Sequence, residues 1–491
     1  MTAASRRPLR RARTLAARLL VAGALPALAP SPDHARAQPP APDRPNVVLI
    51  LMDDLGYGDL GSYGAPGVRT PHLDRLAREG VRLTDFYANH PSCSGTRAAL
   101  LTGRYQQRVG IEWPLGAVPG DTARALAPTP ASLPRRLRDA GYATGLVGKW
   151  HLGWRPEFRP VAHGFDEFWG FLGGAVDYYT HRGFAGPHEL HDGDRATRAD
   201  GYLTDEITAR ARGFLERHRA RPFFLKVAYN ATHWPFQAPG LPPERRARPD
   251  RLRDGTPAEY AAMLQRADSG VGVLLRALDS LGLSRHTLVV FTSDNGGEWL
   301  SRNAPLFHRK FTVWEGGIRV PAILRWPARL PAGVASRQVG ITMDLTATIL
   351  AAAGTAPAAG DPAAGAEGID LVPLLAGRRT VERTLFWRAI VPALPDAPTR
   401  GQRAVRRGRW KYVRDGAAEF VFDLDADVGE RHDLAARDTV RLAALRRLVA
   451  AWEVAVDAER ERTPGAVRRP AAAEQPPPTD PRAVRRGDAR P

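Results

Sequence analysis

Cysteine is almost missing from this chain of 491 residues: Cys93 stands alone. No internal disulfide can form, so the fold must hold through its own core. Long apolar runs are missing as well. Beyond an N-terminal leader, no stretch reaches the roughly 18 apolar residues of a membrane span, and none is expected. There is no internal repeat and no recognised nucleic-acid motif. With 43% hydrophobic and 25% charged residues, the composition excludes a disordered polymer, a collagen-like repeat and a disulfide miniprotein.

Acidic residues are the minority, 52 against 70 Lys and Arg, for a net charge of +18. Such a balance first suggests nucleic acid or an anionic surface. Half of it sits at the chain ends, however. Residues 1–37 hold seven Arg against one Asp, and residues 463–491 hold six Arg against three acids. The rest is scattered through Ala/Arg/Pro-rich text. A weak preference for anionic substrates survives this reading; a nucleic-acid partner does not.

What is present begins with an address. Ser5-Arg6-Arg7-Pro8-Leu9-Arg10 is a twin-arginine-like basic start, and residues 15–28 are apolar apart from Arg18. Ala35-Arg36-Ala37 then offers small residues at the positions a signal peptidase reads. The expectation is a bacterial signal peptide over residues 1–37 and a periplasmic or secreted product. A Pro-rich linker, residues 38–45, follows.

The continuous apolar run Val47-Val48-Leu49-Ile50-Leu51-Met52 predicts a strand buried on both faces of a parallel sheet. Residues 143–147, 223–228, 287–293 and 322–325 read as further strands. Helices are expected at 70–80, 98–101, 132–140 and 258–281, the first with Pro in its opening turn and Gly beyond its end. Alternating strands and helices predict an α/β domain over residues 38–377, with a doubly wound, mostly parallel sheet. The segment 351–368 reads as Ala/Gly/Pro loop. Residues 378–462 predict a smaller α+β domain with antiparallel strands at 384–388, 402–405, 410–413 and 420–423, then a helix at 440–458. The Pro/Arg-rich residues 463–491 read as a disordered tail.

In an open α/β sheet, ligands gather beyond the carboxyl ends of strands. Here those ends deliver Asp53-Asp54, Asp294-Asn295, Lys149 with His151, and His233. Three carboxylates and a side-chain carbonyl make a hard oxygen set, suited to Ca²⁺ or Mg²⁺ and poorly suited to a thiol-seeking metal. Trp150, Trp154, Trp169 and Trp299 could line a cleft or fill a core.

These segments also carry a family resemblance. The run Pro45-Asn46 through Asp53-Asp54-Leu55-Gly56-Tyr57-Gly58-Asp59-Leu60 resembles the opening of the sulfatases of the alkaline-phosphatase superfamily. Pro91-Ser92-Cys93-Ser94-Gly95-Thr96-Arg97, continuing to Gly103-Arg104, is similar to their nucleophile segment. Gly141 to His151 is similar to their second signature. The stretches around His233-Trp234-Pro235, Ser293-Asp294-Asn295-Gly296-Gly297 and Lys310 to Pro321 follow in family order. The likeness covers residue 45 to about residue 434 and weakens after Gly377.

The resemblance implies that Cys93 is oxidised to Cα-formylglycine, whose hydrate carries two hydroxyls. One would attack sulfur, and the other, once deprotonated, would expel sulfate and restore the aldehyde. It further implies that Asp53, Asp54, Asp294 and Asn295, together with residue 93, hold Ca²⁺, with Mg²⁺ as the alternative. Arg97 would steady residue 93, one helical turn away. Lys149 and Lys310 would bind sulfate oxygens, with His308 or Arg309 as rivals for the place of Lys310. His151 would accept a proton, His233 would protonate the departing alcohol and Asp294 would act as base. One position departs from the family. The maturation enzyme usually recognises Cys-x-Pro-x-Arg, sometimes with Ala, and here Gly95 stands in the middle. The expected activity is hydrolysis of an aryl sulfate or a sulfated saccharide by an exported, formylglycine-bearing enzyme. The alternatives are a phosphate or phosphonate ester hydrolase of the same superfamily, or an unmatured protein that binds sulfated polysaccharide.

Overall fold

Six consecutive apolar side chains can be sheltered only where both faces of a strand are covered, and residues 47–52 are fully buried. In the computed structural model they lie in the strand Asn46–Met52, at the middle of a ten-stranded sheet. Its spatial order is Val334–Ser336, Val81–Leu83, Ala322–Arg325, Thr287–Ser293, Asn46–Met52, Phe223–Ala228, Ala143–Lys149, Glu167–Phe171, Leu190–Asp192 and Arg195–Ala196. The five strands from Thr287–Ser293 to Glu167–Phe171 are mutually parallel. Antiparallel pairs flank them on both sides, at Ala322–Arg325 and Leu190–Asp192. The structure describes residues 44–116, 124–183, 186, 188–242, 254–355, 367–391 and 400–460. The expected leader at 1–37, most of the linker at 38–45, most of the loop at 351–368 and the tail at 463–491 lie outside the described residues.

Alternation along the central strand builds two cores. Val48, Ile50 and Met52 join Leu225, Val227, Val289 and Phe291 under the helices Pro71–Glu79, Leu203–His218 and Pro257–Ser280. Val47, Leu49 and Leu51 join Phe224, Ala228, Leu288 and Val290 under Cys93–Thr102, Leu133–Asp139 and Thr342–Ala352. Three helices on each face make the sheet doubly wound, as expected.

The antiparallel sheet expected near the C-terminus is present as four consecutive strands, Thr384–Val391, Arg400–Arg407, Trp410–Asp415 and Ala418–Asp423. The helix Thr439–Arg460 packs on it through Leu445, Val449, Trp452 and Val456, a single stripe at helical spacing. Buried polar contacts tie this layer to the rest. Trp387 Nε1 donates to the Ala88 carbonyl at 2.9 Å, and Arg388 grips Glu112 at 2.7 and 2.8 Å.

A central position of the large sheet breaks the apolar rule. Lys226 sits on a central strand with its Cα beside Leu49 and Leu146, is 1% exposed, and its Nζ has no hydrogen-bond partner among the described residues. Burial, aided by the field of Arg97 and opposed by Asp294, pushes its ammonium down to about 7 from the ordinary 10.5. The unfolded chain therefore binds more protons than the folded one between those values. The penalty carried by Lys226 is complete at pH 7 and below, and fades as pH rises toward 10. Lys226→Met is expected to raise the melting temperature, with the largest gain near pH 6 and a shrinking gain through pH 7.5 and 9. Thermal melts at the three values read this, and an equal gain at all of them would show that the amine does not titrate in that window.

Candidate active site

Four neighbouring strands end on one rim. Met52 leads into Asp53-Asp54, Ser293 into Asp294-Asn295, and Ala143–Lys149 ends on Lys149 with His151 two residues on. Phe223–Ala228 leads through a short loop to His233. The register pairs Met52 with Ser293, so the two acidic segments leave the sheet side by side, and Asp294 N–H donates to the Met52 carbonyl at 3.1 Å. The helix Cys93–Thr102 begins at Cys93 rather than at residue 98, so its first turn, including Arg97, stands over this rim. Asp54, His151, Trp299, His308 and Phe311 take left-handed φ angles of +25° to +69°. Non-glycine residues hold such angles only when their surroundings fix them, a habit of functional sites.

The side chains meet in a buried cluster. The Cys93 thiol donates to Asp53 Oδ1 at 3.4 Å, and Lys149 Nζ lies 2.6 Å from Asp53 Oδ2. Lys310 Nζ lies 2.7 Å from Asp54 Oδ2 and 3.4 Å from Glu298 Oε2. Arg97 closes its fork on Asp294 Oδ2 at 2.9 and 2.7 Å, and its third nitrogen donates to the Lys149 carbonyl. Asn295 Nδ2 donates to Asp54 Oδ1 at 2.8 Å, while its own Oδ1 is buried with no partner among the described residues. Donor atoms of Asp53, Asp54, Cys93 and His233 all lie within 4.8 Å of one another. Every residue nominated from the sequence thus reaches the rim. Of the rivals for Lys310, Arg309 packs over Trp299 and His308 against Phe307 and Trp314.

Both histidines are buried and held to one tautomer. His151 Nε2 donates to the Leu115 carbonyl at 2.9 Å, which leaves Nδ1 as a buried lone pair without a partner among the described residues. His233 Nδ1 donates to the Trp234 carbonyl at 2.6 Å and turns Nε2 toward Asp54 Oδ2 at 3.6 Å. Burial, followed by Lys149 and Arg97 for His151 and by Lys310 for His233, holds both well below the usual histidine range. Burial, then the nearby Asp294, pushes the Cys93 thiol well up, so it is not a thiolate. Burial and the neighbouring Asp294 and Asp54 push Asp53 up against the pull of Lys149, whereas Lys310 and His233 hold Asp54 low against its burial.

Gly95 has a structural reason. A Cβ there would stand 2.6 Å from Cγ and 2.7 Å from Cβ of His90. That histidine is locked by reciprocal bonds with Thr96 and by Ser92 Oγ at 2.8 Å from its Nδ1. The sequence reading missed Glu298, Trp234 and the Leu115 carbonyl. Glu298 lies four residues past Asp294, within reach of a motif-based search, but nothing in the sequence points to a backbone carbonyl. Trp150 and Trp169 fill the core, while Trp299 is 40% exposed.

Residues 45–355 match the family model described as Sulfatase. N-acetylgalactosamine-6-sulfatase of Canis lupus familiaris is 35% identical over 459 residues, covering 83% of this chain and 85% of that protein. Arylsulfatase A of Homo sapiens is 35% identical over 449 residues, covering 79% and 83%. Among solved structures, that of Ps i-CgsB superposes with a TM-score of 0.74 at 31% identity, over 83% of this chain and 92% of that one. The same protein in complex with k-i-k-neocarrahexaose gives 0.73. Matched over most of its length, strand-end motifs included, the chain belongs to the sulfatase family and is a sulfuric ester hydrolase.

Proposed function

We propose that the protein is an exported sulfatase that hydrolyses the sulfate ester of a saccharide, with residue 93 acting as Cα-formylglycine beside a Ca²⁺ site. The charge inventory carries this reading. Asp53, Asp54, Asp294 and Glu298 set four buried carboxylates against the three cations Arg97, Lys149 and Lys310. With all four ionised an anionic ester would meet an excess of negative charge in a low-dielectric site, and burial together with Asp294 and Asp54 already pushes the Asp53 carboxyl up. A hard divalent cation reverses that balance, and the orphaned Asn295 Oδ1 supplies a neutral oxygen that lacks a partner among the described residues. Asp53, Asp54, Asp294 and Asn295, with an oxygen of residue 93, would hold it. When bound, the cation supplies charge stabilisation for the sulfate oxygens and acidifies an attached hydroxyl.

A buried thiol with a raised pKa and Asp53 against it is a poor nucleophile. Oxidation to the aldehyde answers this, because its hydrate offers one hydroxyl to attack and a second to release sulfate. The remaining work falls to fixed side chains. Arg97 orients Asp294 through Oδ2, and Oδ1, which accepts the Asp54 N–H at 3.4 Å, takes a proton from the attacking group. Lys149 and Lys310 exchange their carboxylate partners for sulfate oxygens. His151 Nδ1 holds an open lone pair for the second proton. His233, its Nδ1–H anchored on Trp234, presents Nε2 to the departing alcohol, and an arriving sulfate offsets the cations that keep it neutral. Saccharide specificity draws on the relatives, one named for N-acetylgalactosamine-6-sulfate and one solved with a carrahexaose. Export rests on the leader at residues 1–37. No helix among the described residues is long and apolar enough to cross a membrane. Maturation calls for a partner enzyme that accepts Gly95.

Peptide mass spectrometry of protein from the native host is expected to find formylglycine at residue 93, and an intact thiol throughout would refute the maturation. Matured enzyme is expected to cleave N-acetylgalactosamine 6-sulfate or neocarrahexaose in preference to 4-nitrophenyl sulfate and 4-nitrophenyl phosphate; a preference for the phosphate would favour the phosphatase reading. Asp294→Ala is expected to lower kcat/KM by about 10³ or more with unchanged circular dichroism, and chelation is expected to abolish a turnover that Ca²⁺ restores. Full activity in either case contradicts the metal assignment. Gly95→Ala is expected to cost roughly 1–3 kcal/mol through overpacking against His90, read from the urea midpoint. His90→Ala in the same chain should recover most of that loss.

A further inference from the structure

Beside His233 and Lys310 the cluster is bordered by indoles. Glu298 Oε2 accepts from Trp234 Nε1 at 3.1 Å and faces Lys310 Nζ at 3.4 Å. The Trp234 indole lies against the His233 ring, with centroids 4.8 Å apart and planes at 33°. One residue further along the chain is Trp299, the one exposed Phe, Tyr or Trp side chain among the described residues. Its place is fixed rather than loose. Ser301 N–H closes a turn on the Glu298 carbonyl at 2.9 Å, and Lys310 N–H donates to the Gly297 carbonyl at 3.1 Å. The Arg309 guanidinium lies 5.8 Å from the Trp299 ring centroid, and the backbone holds φ at +25°. An indole kept in water beside a polar pocket, in a conformation most residues avoid, calls for a ligand.

We propose that Trp299 and Arg309 form a docking platform for a second sugar ring, adjoining the one whose sulfate is removed. The platform rests on the saccharide sulfatase reading above and defines its substrate as an oligosaccharide. The C–H face of a pyranose stacks on the indole, as aromatic platforms require a flat apolar partner. The Arg309 fork reaches a further sulfate or carboxylate on that ring, which a planar guanidinium recognises by paired hydrogen bonds. Glu298 joins the platform to the chemistry, because its carboxylate touches Lys310 and, through Trp234, supports His233. Neither Trp299 nor Arg309 meets the reacting atoms, so both act on binding.

The test compares a multi-ring probe with a single-ring probe. For Trp299→Ala, KM for neocarrahexaose or a chondroitin 6-sulfate hexasaccharide is expected to rise about tenfold more than KM for N-acetylgalactosamine 6-sulfate, the size of a lost stacking contact. Trp299→Phe should recover most of the difference, and Arg309→Gln should raise KM for the hexasaccharides with a weaker dependence on salt. Equal changes for single-ring and multi-ring probes, or none, overturn the platform, as does a native enzyme that binds neither hexasaccharide more tightly than the monosaccharide. Should the native enzyme turn over no sulfate ester, the sulfatase reading fails by itself. Calorimetric titration of the hexasaccharides into native protein and Trp299→Ala then decides the platform separately: weaker binding in the variant sustains it and equal binding refutes it.

Discussion

The fork of Arg97 on Asp294 is the contact on which the site depends. Both groups are fully buried. Each would face a large desolvation cost alone, and removing one partner from such a pair costs roughly 3–5 kcal/mol. Lys149 on Asp53 and Lys310 on Asp54 repeat the arrangement on the adjoining segment. Packed apolar groups of similar volume would hold the fold as well or better. Six charges retained in a buried cluster, with Glu298 adding a fourth carboxylate, therefore point to chemistry rather than stability. The Cys93 thiol donates to Asp53, and burial pushes its pKa well up, a poor setting for a nucleophilic sulfur.

Sheet register makes the charges converge. Asp54 and Asp294 are 240 residues apart in sequence, yet their strands are immediate parallel neighbours with Met52 opposite Ser293. A slip of one residue would turn every core side chain of the central strand to the other face. The apolar sequence inside the sheet thereby fixes, to within a residue, where the acidic pairs emerge at its edge. Helix Cys93–Thr102 adds Cys93 and Arg97 to the cluster, and its packing on Thr342–Ala352 sets its height over the rim.

Much of this could be read in the sequence. Val47 to Met52, the strands at 223–228, 287–293 and 322–325, and the four C-terminal strands show in their apolar runs, and Asp53, Asp54, Lys149, Asp294 and Asn295 lie where main strands stop. Short strands such as Val81–Leu83, Phe86–Tyr87 and Val334–Ser336 carry no such pattern, because two or three residues become strands only through partners distant in sequence. The helix Leu203–His218 was missed for another reason. Its buried stripe at Leu203, Ile207, Ala211 and Phe214 has helical spacing, but Arg and Glu interrupt it so often that no run stands out. The helix at Cys93 begins five residues earlier than its apolar segment suggests, since Ser94, Gly95 and Thr96 have little helical signature and are held by packing and by Thr96 bonding back to His90. Lys226 ran against expectation altogether, a cation in the middle of a core strand.

The same motifs hold a second kind of information, about clearance rather than charge. A Cβ on Gly296 would collide with the Gly316 carbonyl, and one on Gly297 would run into Ser301 and Gly56. Gly316 and Gly317 in turn lie bare against the carbonyls of Phe307, His308 and Thr312. These glycines bring together the segment that bears Asp294 and the segment that bears Lys310, and Gly296 N–H donates to the Gly317 carbonyl at 3.0 Å across the seam. Without that approach the Lys310 ammonium would not reach Asp54, and the carboxylates would face water instead of one another. Gly-Gly after Asp294-Asn295 looks like a turn when the sequence is read alone. Its physical role is to let two loops interpenetrate, so that residues with no attraction for the sheet are held over its edge by backbone contact.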